Sequence, residues 1–193
     1  MKRESLLGLV AAGAFVLPAW PDVVVFQQGV NGYVGTIDTT VSQDVPDTAL
    51  CDEPHFWVDG WMPGAGEEHG LLQFAGIFGT DPGRIPPGAG IRSAILTLEV
   101  VNAGSGFLLH RILTPWEECG TWNSWCAGVQ ADGEEAKFEY DYCIGTGTHG
   151  EIVPVGTLEI DVTIALRCWS AGSPNYGWVF RPWVGGSDAV YFW

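Results

Sequence analysis

Short apolar runs, separated by glycine- and proline-rich turns, set the rhythm of this chain. The clearest pattern is "IRSAILTLEVVNAG", Ile91 to Gly104. There Arg92, Ala94, Leu96, Leu98 and Val100 alternate with Ile91, Ser93, Ile95, Thr97 and Glu99. A period of two with one strongly apolar side predicts a strand that buries a single face. Shorter signals of the same kind predict strands in "DVVVFQQ" (Asp22 to Gln28), "VGTIDTTV" (Val34 to Val41), "HFWVDGW" (His55 to Trp61), "LLQFAGIF" (Leu71 to Phe78), "GFLLHRIL" (Gly106 to Leu113), "WVFRPWV" (Trp178 to Val184) and "AVYFW" (Ala189 to Trp193). Asn31-Gly32 marks a turn between the first two of these. The prolines of "GTDPGRIPPGAG", Gly79 to Gly90, predict a long loop, because proline cannot donate to a strand ladder. "GTLEIDVTIALRCW", Gly156 to Trp169, starts as a strand and ends as a helical turn with Thr163 as its N-cap. The stretch from Thr114 to Cys143 is irregular and aromatic.

About nine or ten short strands with almost no helix predict an all-β fold, a jelly-roll-type antiparallel β-sandwich with long irregular loops. The length of 193 residues fits one domain, and no internal repeat divides it. The N-terminus carries its own pattern. Lys2 and Arg3 precede "LLGLVAAGAFVLPAW", Leu6 to Trp20, an apolar stretch of export-signal length. The expected organisation is therefore a signal peptide over 1–20 and a single domain over 21–193, secreted or at the cell surface. No later run is long enough to cross a bilayer, so no membrane insertion is expected after signal cleavage.

Charge removes several classes of partner. The formal net charge is -15, with only 8 Lys plus Arg. Nucleic acids and anionic membrane surfaces both require a basic face. Five cysteines in an exported chain point to disulfides, and none has zinc-site spacing. Cys119 with Cys126 is one candidate pair and Cys51 with Cys143 another, which leaves Cys168 as a buried free thiol. Connectivity stays open at this level.

The candidate chemistry is sparse. Glu117 and Glu118 are adjacent, so on an extended chain they point to opposite faces and do not flank one bond. His55, His69, His110 and His149 have no metal or triad spacing. No enzyme is expected, and no cofactor. Asp38, in the glycine-rich loop of "FQQGVNGYVGTIDTTV" (Phe26 to Val41), is the candidate ligand for a structural calcium ion; the alternative is that it simply holds the turn. The chain has 10 tryptophans, more than a core of this size needs. Trp169 and Trp178 sit in core-like segments. Trp57, Trp61, Trp122, Trp125 and Trp183, with Asn123, lie in or beside polar loops. Indole faces stack on sugar C–H faces, so these six residues are the candidate carbohydrate site.

The order of segments "FQQGVNGYVGTIDTTV", "GLLQFAGIFG…RIPPGAGIRSAILTLEV", "LLHRILTPWEECGTWN" and "LEIDVTIALRCWSAGSPNYGWVF" resembles the DNRLRE domain family. These are extracellular β-sandwich modules related to disaggregatase-type repeats and to carbohydrate-binding modules, some of which bind alginate. The resemblance runs from Val23 to Trp193. It departs from the family at Gln73, where an arginine is common, and at Cys168, where a small residue is usual. It implies a non-catalytic module that binds polysaccharide or mediates surface attachment. The alternatives are a structural surface protein without a small ligand, and a polysaccharide hydrolase.

Overall fold

The structure, a computed structural model, describes residues 23–146 and 150–193. The expected export signal over 1–20 and His149 lie outside the described residues. Among the described residues the strands are β1 (Thr36–Ser42), β2 (Phe56–Val58), β3 (Glu68–Phe74), β4 (Ile95–Asn102), β5 (Phe107–Arg111), β6 (Tyr142–Ile144), β7 (Gly156–Asp161), β8 (Trp178–Pro182) and β9 (Val190–Phe192), with one α-helix, α1 (Thr163–Ser170). They form a five-stranded sheet in the order β1-β3-β8-β5-β6 and a four-stranded sheet in the order β2-β9-β4-β7. Every strand pairing is antiparallel, so the chain is an all-β sandwich.

The inner faces of the two sheets meet in one apolar core. Phe56, Phe107, Phe180 and Phe192 form its centre, with ring centroids 5.1 to 5.5 Å apart. β4 buries Leu96, Leu98 and Val100 there and exposes the residues between them, as its alternation predicts. α1 closes one end with Ala165, Leu166 and Trp169, and Trp169 packs on Trp178 at 4.7 Å. Thr163 does not cap this helix with its side chain. Its Oγ1 instead accepts the backbone N–H of Ala94, while Asp161 Oδ1 accepts the N–H of Thr163. The sheets are joined at one corner. Asp59, just after β2, bridges to Glu68 at the start of β3 through two backbone hydrogen bonds of 3.1 and 3.0 Å. Gly70 makes this close approach possible, because a Cβ there would lie 2.8 Å from the Phe56 ring.

The five-stranded sheet carries a second apolar layer on its other face. Val41, Leu71, Ile112 and Val179 are covered by Trp122, Trp125, Val129 and Ala136 from the irregular segment 113–136. This explains why the middle of β3 is buried without alternation. The residues expected to form a first strand, Asp22 to Gln28, do not form one over their described part. Val23 and Val25 are exposed, and no neighbouring strand takes up their backbone groups. The turn after them is real. Gly29, Asn31 and Gly32 all take positive φ, and Gly29 N–H donates to Tyr33 O at 2.8 Å.

Candidate functional site

The cover segment is held down at both ends. Ile112 bridges Ala136, and Leu113 N–H donates to Glu135 O at 2.8 Å. In its middle, a short 3-10 turn at Asn123–Trp125 is clamped to the loop after β1. Asn123 N–H donates to Pro46 O at 3.0 Å, and its side-chain amide donates to Asp47 Oδ1 at 2.8 Å. A disulfide between Cys51 and Cys119 ties the same two loops covalently. The expected pairs Cys119–Cys126 and Cys51–Cys143 are therefore not formed. Cys126 ends the 3-10 turn in the left-handed conformation, with its thiol free and exposed. Cys143 sits in β6 opposite Leu108, with its free thiol half-buried. Cys168 is free as expected, but half-buried rather than buried.

Beneath the cover lies a buried histidine. His69 on β3 is fully buried, and Trp122 packs on its ring at 4.9 Å. Burial is the largest influence on this imidazole and pushes its pKa down. The Glu67 carboxylate, by contrast, is held below its usual range, first by the hydrogen bond from His69. The 3.3 Å contact between them is thus a neutral imidazole Nε2–H donating to a carboxylate rather than an ion pair. That leaves Nδ1 buried without a hydrogen-bond partner among the described residues. His110 on β5 is pushed the same way by burial, and its Nδ1–H donates to Lys137 O at 2.9 Å.

On its outer side the cover shapes a cleft of about 510 Å³. Trp116 and Trp125 provide its aromatic walls, Glu117 and Glu135 its carboxylates, and Thr114, Thr121 and Ser124 its hydroxyls. Several of these groups are fixed before any ligand arrives. Trp116 Nε1–H donates to Tyr176 O at 2.8 Å, which locks the indole. Glu135 Oε2 accepts the Gln130 N–H at 2.7 Å. Thr121 and Ser124 bond reciprocally, with Ser124 O–H donating to Thr121 O at 2.7 Å and Thr121 N–H donating to Ser124 Oγ at 2.9 Å. Gly120 sits close against its own segment. A Cβ there would come within 3.1 Å of Glu117 O and 3.8 Å of Trp125 Nε1.

The expected sugar residues are scattered over this frame. Only Trp125 lines the cleft, although most of its surface is in the second core. Trp122 is buried against His69, and Asn123 is engaged by Asp47. Trp57 belongs to the other sheet, half-buried against Tyr191 at 5.4 Å, with Nε1–H donating to Glu68 Oε2 at 2.5 Å. Trp61 beyond β2 is exposed. Trp183 follows β8 and packs where Gly145 and Gly150 leave room for its ring. Trp116, which sequence reasoning passed over, is the aromatic residue that completes the cleft. Its signal was present in "TPWEEC", an indole with carboxylates beside it.

Asp38 stands within β1, opposite Leu72, rather than in a loop. Burial and then the nearby Glu118 raise its pKa. Among the described residues no group of three or more His, Cys, Asp or Glu is placed to hold a metal ion. No family model matches this chain, and no curated protein matches it.

Proposed function

We propose that this chain is a secreted, non-catalytic carbohydrate-binding module whose sugar site is the cleft on the cover segment. The observation that carries this reading is the half-buried Trp116 indole, with the exposed rim of the buried Trp125, set beside Glu117 and Glu135 around one open, pre-set cleft. Indole faces take sugar C–H surfaces, and carboxylate oxygens orient the hydroxyls. Other features agree with it. The strands β2-β9-β4-β7 over β3-β8-β5-β6 interleave as two Greek keys do, which supports a jelly-roll reading and a lectin-like scaffold. A disulfide fits an oxidising compartment outside the cell. The resemblance to DNRLRE modules points to the same role.

The test is Trp116→Ala on a glycan array and by calorimetry against the best ligand found. The half-buried indole packs on the edge of the second core and bonds Tyr176 O, so a melting curve first checks that the variant keeps its fold; the folded variant is expected to lose about tenfold or more in affinity. Binding unchanged in Trp116→Ala, or release of new reducing ends from the bound glycan by the wild type, overturns the proposal.

A further inference from the structure

The cleft has a one-sided chemistry. Its lining holds Glu117 and Glu135 and contains no Lys, Arg or His. Neither glutamate has an ion-pair partner among the described residues, whose ion pairs are His69–Glu67, Arg84–Asp81 and Arg111–Asp141. The Ser124 O–H is already donated to Thr121 O, and the Thr121 and Ser124 oxygens accept each other's backbone N–H, which leaves the Thr114 and Thr121 hydroxyls as the side-chain donors of the lining. The Trp116 N–H is turned inward onto Tyr176. Beside those two hydroxyls, the charged groups the cleft offers a ligand are acceptors alone, since an ionised carboxylate accepts hydrogen bonds and donates none. The surroundings reinforce this, with Glu118 next in sequence and a chain of net charge -15.

We infer that the cleft selects glycans that present hydrogen-bond donors and no acidic groups, namely neutral or amine-bearing hexose chains, and rejects uronates and sulfated sugars. This rests on reading the cleft as a sugar site. It also separates this chain from the alginate binding implied by the family resemblance, because a polyuronate needs cations that the cleft does not have. A uronate carboxylate seated against either glutamate brings two like charges within contact range, which weakens binding by about tenfold or more at low ionic strength. An ammonium group in the same position gains by a similar factor.

The experiment compares matched hexasaccharides of glucose, glucosamine and galacturonate, within a wider glycan array, at low and at high salt. Each hit is repeated with Trp116→Ala to assign binding to the cleft and with Glu117→Gln, which keeps the shape and removes a charge. The expected order is amine-bearing, then neutral, then uronate. The uronate should be at least about tenfold weaker than the neutral chain, and the gap should narrow in high salt and in Glu117→Gln. Uronate chains that bind as well as neutral ones, in a Trp116-dependent manner, overturn the selectivity and leave the sugar site standing. Binding to none of the array by the wild type overturns the sugar site and the selectivity with it.

Discussion

The two sheets bury themselves differently. The four-stranded sheet presses one face on the core and turns the other to water, so β4 alternates between buried and exposed positions from Ile95 to Val101. The five-stranded sheet is sandwiched, with the phenylalanine core on one side and the 113–136 cover on the other. The first arrangement is self-sufficient. The second depends on a segment without regular structure, held by a disulfide, two hydrogen bonds from Asn123 and a few backbone contacts. The cleft sits on that dependent layer, so the region with the candidate function is also the one whose stability is most conditional. That division fits the general placement of binding residues on loops carried by a rigid scaffold.

Substitutions should separate the two layers. Phe180→Ala empties the middle of the inner core, where the ring meets Phe56, Phe107 and Phe192. It should cost about 3–5 kcal/mol and lower the melting of both layers together, as followed by calorimetry. A smaller loss confined to the cover would show that the two layers do not share one core.

Replacing Cys51 and Cys119 together by serine removes a link across a sequence separation of 68 residues. It should cost about 2–4 kcal/mol. Hydrogen exchange should then rise first in 113–136 and in the loop after β1, while β4 and β7 stay protected. Uniform exchange across both sheets would contradict the comparison.

The smallest effects concern pH and carry opposite signs in the two regions. His69 has a lowered pKa, so between its folded value and the ordinary 6.5 the unfolded chain binds more protons. Stability of the cover should therefore fall on acidification below about 6.5, by up to about 1.4 kcal/mol per pH unit, with His110 adding in the same direction. Around the two imidazoles lie Glu67, Arg181, Asp141 and Tyr140, and Glu67 and Asp141 moderate the loss. Asp59 at the sheet corner is raised to about 6, by burial first and then by Glu68, Asp188 and Asp44 against the opposing Gly60 N–H. Its folded form binds more protons than the unfolded form between the ordinary value and about 6, so the corner gains stability as pH falls through 6. Denaturant melts from pH 7 to 4 of His69→Gln and Asp59→Asn test both signs. His69→Gln should flatten the acid loss, and Asp59→Asn should stabilise slightly above pH 6 and do nothing at pH 4. The reverse pattern would mean that the burial of these groups does not set their titration.

These differences also mark what was readable in the sequence. β4 was legible because a strand with one wet face must alternate, and Leu96, Leu98 and Val100 do. The strands β5, β8 and β9 fell where apolar runs between turns placed them. β6 was not legible, since "YCI" lies inside an irregular stretch and owes its conformation to pairing with β5. Val23 to Gln28 misled for the converse reason, because β-branched residues favour a strand only where a partner is present. The burial of Trp122 and Trp125 was hidden by the same irregularity, as a cover segment has no period from which its inward side can be read. The cysteine pairing depended on two loops meeting across the sheet edge, a contact that no local spacing encodes.

The Cys51–Cys119 bond has a further consequence for where the chain can live. Made under reducing conditions, the sandwich would keep its phenylalanine core but hold its cover loosely, baring Val41, Leu71, Ile112 and Val179 in one contiguous patch. Apolar surface of that kind drives self-association. The same polypeptide is then expected to stay dispersed with the staple closed and to self-associate with it reduced, which light scattering with and without a reductant checks.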